Sequence, residues 1–187
     1  MGDGRHRPTG RRGRGRPRRH GRQGRRDQGR FLHPRARRGL MQAETLEGGF
    51  ANAPIEAALA FRAAMSAMAR PGRIETLTGA QPPAPLSVAA GTLALTLFDP
   101  ETPVHLAGAA DCAAVRDWLA FHTGAPVVAA GEAMFALGAW DALPPLDRFA
   151  IGTPEYPDRS VTLIVEMPAL EATGARLTGP GIKDHAA

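Results

Sequence analysis

The segment Ser160-Val161-Thr162-Leu163-Ile164-Val165-Glu166-Met167 decides the fold class. Val161, Leu163 and Val165 alternate, and β-branched side chains dominate, so residues 160–167 read as a strand with one apolar face. Upstream, apolar spacing changes from two residues to three and four. Ile55, Leu59, Phe61, Met65 and Met68 recur at helical intervals between Asn52-Ala53-Pro54, where Pro54 suits a first helical turn, and the stop Pro71-Gly72. Residues 73–78 read as a short strand and 81–85 as a proline-rich turn. Residues 86–98 fit a strand through Leu93, Leu95 and Leu97, or a helix through Leu86, Ala90, Leu93 and Leu97, and their length favours the helix.

After Asp99-Pro100, residues 104–106 read as a strand. Asp111 then caps a helix that places Val115, Trp118, Leu119 and His122 on related faces and ends at Gly124. Residues 127–128 and 134–137 read as strands, 141–149 as a short helix broken by Pro144-Pro145, and 175–178 as the return strand of a hairpin after Gly174. Helices interleaved with short strands predict a layered α/β domain.

Charge divides the chain at residue 40. Residues 1–40 hold fifteen arginines, no lysine, nine glycines and three prolines against Asp3 and Asp27, a net of +13, while residues 41–187 carry a net of −8. The basic stretch has almost nothing apolar to bury and is expected to be disordered. Arg14-Gly15-Arg16-Pro17 resembles an AT-hook core, which lies in a narrow minor groove, so a nucleic-acid-binding arm is one reading. A mitochondrial presequence is a second, opposed by the frequent Gly and Pro. The preferred reading is a start-site artefact: arginine without lysine reflects GC-rich codons, and ordinary composition begins at Met41. Residues 41–187 are then the working domain.

Composition narrows the chemistry. Cys112 is the sole cysteine, so no intrachain disulfide or Cys-based zinc site forms. No secretory signal or run of 18 apolar residues occurs, and the expected location is the reducing cytoplasm. The body histidines, His105, His122 and His185, have no metal-ligand spacing, so no metal site is expected. Gly179-Pro180-Gly181 could cradle a phosphate but reads first as a turn. His122 at a helix C-terminus, Arg70 and Arg159 are the ligand-binding candidates, each with a plainer role in helix-dipole or surface solvation. Arg73 also flanks a turn. Asp147-Arg148 and Asp158-Arg159 read as surface charge pairs. The only lysine, Lys183, lies near the end of the sequence, a poor place for a pyridoxal Schiff base.

Six stretches, in order, resemble one family. They are Phe61-Arg62-Ala63-Ala64-Met65-Ser66-Ala67-Met68-Ala69-Arg70-Pro71-Gly72; Leu95-Thr96-Leu97 with Thr102-Pro103-Val104; Phe121-His122-Thr123-Gly124-Ala125-Pro126; Gly152-Thr153-Pro154-Glu155-Tyr156-Pro157; Thr162-Leu163-Ile164; and Leu177-Thr178-Gly179-Pro180-Gly181-Ile182. Together they resemble the PhnH subunits of bacterial carbon–phosphorus lyase. The resemblance implies a three-layer α/β/α sandwich similar to pyridoxal-phosphate-dependent transferases but without that cofactor. It implies a homodimer working with the sister subunits PhnG, PhnI and PhnJ and the accessory PhnL.

That machinery transfers the ribose triphosphate of a purine nucleoside triphosphate (ATP or GTP) onto an alkylphosphonate. The iron–sulfur cluster and S-adenosylmethionine belong to PhnJ. No cofactor is expected in this chain, and independent activity is not expected of it. Catalytic residues stay unassigned, because the resemblance supplies none. The family continues past the Leu-Thr-Gly-x-Gly-Ile motif, so the C-terminal part is expected to be missing here, leaving the last strands uncovered. A membrane role is excluded, and nucleic acid is disfavoured as a partner.

Overall fold

A computed structural model describes residues 47–179 and Ile182. The readings made for residues 1–40, for Lys183 and His185, and for Pro180-Gly181 lie outside the described residues.

Three helices and three strands form a mixed α/β unit. The helices are α1 (Ala53–Ala69), α2 (Val88–Leu97) and α3 (Ala113–His122). The strands β1 (Val104–Leu106), β2 (Phe135–Ala139) and β3 (Thr162–Glu166) make a parallel sheet in the order β1-β2-β3. Register pairs Leu106 with Leu137 and Leu137 with Ile164. Val127 adds a single parallel bridge to Val104 on the outer side of β1, so the expected strand at 127–128 is reduced to that bridge.

The pleat sends alternate side chains to opposite faces. Val104, Leu106, Leu137 and Ile164 point to one face, where α2 and α3 cover them with Ala90, Ala94, Val115, Trp118 and Leu119. Ala136, Leu163 and Val165 point to the other, where Leu143 and Phe149 lie over them from short 3₁₀ turns. Among the described residues, then, helices cover one face of the sheet and turns the other.

Local chemistry explains the helix ends. Glu56 Oε2 accepts from the Asn52 N–H at 2.7 Å and ties the start of α1, while Pro71 and Gly72 (φ 89°) end it. Ser87 Oγ accepts from the Ala90 N–H at 3.1 Å and caps α2. Gly91 of α2 lies under the Pro82 ring, 2.5 Å from where a Cβ would stand, so only glycine fits. α3 closes on Gly124 at φ 70°.

Several expectations are corrected. Residues 73–78 are extended but join no ladder among the described residues. The N-cap of α3 is Cys112, not Asp111, whose carboxylate instead accepts from Arg116 Nε. The strand read at 134–137 lies at Phe135–Ala139. The helix read over 141–149 is two 3₁₀ turns, Trp140–Ala142 and Leu146–Arg148, since prolines 144 and 145 offer no N–H for an α-turn. Among the described residues, 175–178 form no hairpin with β3, whose ladder there is with β2 alone. The helix read from the spacing at 55–68 is present as α1, and the structure adds its orientation. Its periodic Ile55, Leu59, Phe61, Met65 and Met68 face outward, and the alanines at 57, 60, 63, 64 and 67 face inward. Against the closely packed α2, an alanine face allows the nearer approach of two backbones.

Candidate functional site

In open parallel sheets, ligands bind beyond the carboxyl ends of strands, where neighbouring connections leave in opposite directions. That point lies between β1 and β2. The chain leaves β1 through α3 to reach Val127 on one side, and leaves β2 through the 3₁₀ turns to reach β3 on the other. The two exits meet. Gly108, at φ 60° just after β1, is so close to the Trp140–Ala142 turn that a Cβ there would lie 2.6 Å from the Ala142 Cβ. A Cβ on Gly138 would lie 2.7 Å from the Ala107 oxygen. Small residues are therefore required on both sides of this edge.

Around it stand Trp140, half exposed, with exposed Asp141 and Asp111. Asp111 accepts a hydrogen bond from Arg116 Nε, which holds its carboxyl below the usual carboxylate range. Slight burial opposes that shift, and Coulombic attraction to Arg116 and His105 adds to it. The same bond raises the Arg116 guanidinium. The N-terminus of α2 opens on this sheet edge too, and it already holds an anion. Glu166 Oε1, at the end of β3, accepts from the Ser87 N–H at 2.7 Å.

The candidates from sequence do not gather here or with one another. His122 Nε2 faces the Glu47 carbonyl at 3.1 Å, the oxygen that also accepts from Trp118 Nε1–H at 3.1 Å. That carbonyl can only accept, so Nε2 carries the proton. Trp118 and Phe121 flank the ring, and a Cβ on Gly49 would lie 2.8 Å from its Cε1. His122 thus straps the chain before α1 onto α3. Arg70 is the exposed C-cap of α1. Arg159 lies 3.9 Å above the Tyr156 ring, and Arg148 donates to the Ala142 carbonyl at 3.0 Å and sits over Phe149. Neither arginine pairs with its aspartate neighbour in sequence, which corrects the two charge pairs expected at 147–148 and 158–159. Arg73 instead pairs with Glu75 at 2.5 Å.

Sequence reasoning passed over Asp141, Trp140 and the small residues at 107–109 and 138–139. The signal available was the Gly/Ala run directly after β1 and the Gly138-Ala139 pair that ends β2. Chemically, the edge offers two carboxylates, a guanidinium held by one of them, and an open indole. Such groups can bind and orient a polar ligand or partner. No group of three or more potential metal ligands occurs among the described residues, and no helix there is long and apolar enough to cross a membrane.

Comparison with known proteins decides the family. Residues 48–187 match the model of PhnH, the bacterial phosphonate metabolism protein. The chain belongs to the PhnH family. It is 48% identical over 149 residues to the alpha-D-ribose 1-methylphosphonate 5-triphosphate synthase subunit PhnH of Rhizobium meliloti (strain 1021), a match covering 76% of this chain and 74% of that protein. The match to the PhnH model begins after the arginine-rich stretch, which carries none of the family signal.

Proposed function

We propose that this chain is a non-catalytic-cofactor subunit of an alpha-D-ribose 1-methylphosphonate 5-triphosphate synthase, acting in bacterial phosphonate breakdown. The observation that carries this reading is the 48% identity to a subunit of that name over most of both chains. In this role the chain assembles with PhnG, PhnI, PhnJ and PhnL subunits, and with a second copy of itself. The assembly moves a ribose triphosphate from ATP or GTP to an alkylphosphonate, and the iron–sulfur step belongs to PhnJ. The exposed edge beyond β1 and β2, with Trp140, Asp111 and Asp141, is the surface through which this chain meets substrate or a sister subunit.

The chain's own inventory supports a contributing subunit rather than a self-sufficient enzyme. Its one lysine is Lys183, its one cysteine is Cys112, and His122 is engaged with a backbone carbonyl. The complete fold in this reading is a three-layer α/β/α sandwich, like that of pyridoxal-dependent transferases without the cofactor.

The test is genetic and biochemical. A bacterial strain lacking its own PhnH, with the other subunits intact, should regain growth on methylphosphonate as sole phosphorus source when given this full chain. Growth on inorganic phosphate but not on methylphosphonate, with the chain expressed and soluble, would overturn the reading. The rival reading, a nucleic-acid-binding arm in residues 1–40, predicts instead that the activity is lost with that segment; a 41–187 chain that complements equally well removes it.

A further inference from the structure

Between β2 and β3 the chain closes a loop on itself. Ile151 and Ser160 face each other in a single antiparallel bridge, and the Val161 N–H donates to the Ala150 carbonyl at 2.9 Å at its base. The loop contains the stretch Gly152-Thr153-Pro154-Glu155-Tyr156-Pro157. Its turns are hydrogen bonded throughout. Thr153 and Tyr156 exchange backbone bonds at 3.2 and 3.1 Å, and Thr153 Oγ1 also accepts from the Tyr156 N–H at 3.1 Å. Pro157–Arg159 form a 3₁₀ turn that the Ser160 N–H closes on the Pro157 carbonyl at 3.2 Å. Gly152, at φ 72°, lies under this frame: a Cβ there would stand 2.9 Å from the Tyr156 oxygen and 3.0 Å from the Pro157 oxygen.

The order brings the core nothing. Fixing a backbone costs conformational entropy, which burial normally offsets. Here no side chain from 151 to 160 is buried. What the frame holds out is apolar and aromatic. Ile151 is 84% exposed, and no large apolar side chain among the described residues is more so. Tyr156 is half exposed, and Arg159 lies flat above its ring at 3.9 Å. Arg159 makes no ion pair among the described residues.

We infer that this loop is a docking knob for a sister subunit, seated in an apolar pocket that takes Ile151 and Tyr156 and is edged by a carboxylate that takes Arg159. The inference rests on the assembly reading above and gives this chain a docking surface besides the edge beyond β1 and β2. Preorganisation is the first argument: a loop already held by its own hydrogen bonds loses little freedom on binding. Chemistry is the second. Tyrosine and arginine recur at the energetic centres of protein interfaces. A guanidinium lying on a ring keeps its N–H edge free for bidentate donation to a carboxylate. A free anion would engage Arg159 alone, and Glu155 and Asp158 beside it repel one. Symmetry is the third. A knob and the pocket that seats it are different surfaces, so a second copy in that pocket would start a ring or an open filament. A different polypeptide closes the contact.

The experiment is affinity isolation of the tagged full chain co-expressed with PhnG, PhnI and PhnJ, followed by titration of the recovered sister subunit against each variant. Ile151→Asp and Arg159→Glu should each weaken its binding about 10-fold or more. Glu101→Gln, an exposed charge outside the loop, should leave binding unchanged. Both loop variants should keep the wild-type melting temperature, because the side chains they alter bury nothing. Wild-type binding in both loop variants overturns the inference. So does weakening by Arg159→Glu alone, which would leave an ionic contact without the pocket. Loss of self-association with sister subunits retained overturns it too, since the loop would then serve a second copy. A wild-type chain that binds no sister subunit and fails to restore growth on methylphosphonate overturns the functional reading and the inference together. Loop variants that bind normally beside a wild type that restores growth overturn the inference alone.

Discussion

Helices α1 and α3 differ in where their large side chains end. The ten residues of α3 bury Val115, Trp118 and Leu119 completely, while the seventeen of α1 bury only Ala60. Periodicity alone treats the two alike. What separates them is the size of the side chains that can face inward. α3 lies on the sheet, where Leu106 and Leu137 leave room for an indole. α1 lies on α2, where Ala63, Ala64 and Ala67 stand beside Leu93 and Leu97 of that helix. Large side chains are then directed outward. A helix periodicity thus marks two faces, and the neighbour chooses between them.

The largest effect should come from α3. Trp118→Ala removes a fully buried indole and its bond to the Glu47 carbonyl, and should cost roughly 3–5 kcal/mol in urea unfolding. A cost below about 1 kcal/mol would mean that α3 is not the centre of the core. Thr92→Val, at a fully buried hydroxyl of α2 that accepts from the Ala80 N–H at 3.3 Å, leaves that N–H unpaired and should cost about 1–2 kcal/mol. Phe61→Ala on α1, a residue half exposed, should cost less than about 1 kcal/mol in the same measurement. Equal losses at Phe61 and Trp118 would abolish the contrast between the helices.

The smallest effect concerns Asp111. Its carboxyl titrates below the usual value of about 3.9, so it stabilises the fold above that pH and loses the contribution as pH falls through its lower folded value. Because the pair is open to solvent, screening keeps the effect small. Asp111→Asn should lower the melting temperature slightly at pH 7, leave it unchanged near pH 2, and so flatten the acid limb between them. A loss near pH 2 as large as at pH 7 would show that Asp111 acts other than by its charge.

Much of the backbone was legible from sequence. Strong punctuation at Pro54, Pro71-Gly72, Asp99-Pro100 and Gly124 marked helix ends well, and residues 104–106 and 160–167 located strands. The failures at 73–78 and 175–178 share a cause: strand pairing depends on neighbours distant in sequence, which local pattern does not encode. The candidate site was less legible. His122 drew notice as a titratable group, yet its role is set by Glu47, seventy-five residues earlier. The edge beyond β1 and β2 exists only through strand order, and its Gly/Ala composition carries no chemical motif.

The bond between Ser87 and Glu166 also constrains the timing of folding. Its partners are 79 residues apart, so during synthesis the start of α2 waits for β3 before gaining that acceptor. At typical elongation rates of roughly 5–20 residues per second, the wait is about 4–16 s. Throughout it, α2 has no β3 beside it, and the sheet has only its first two strands. Such a nascent chain exposes the apolar flank of β2, a surface on which holding chaperones act. β3 is therefore the strand that completes both the start of α2 and, among the described residues, the parallel sheet.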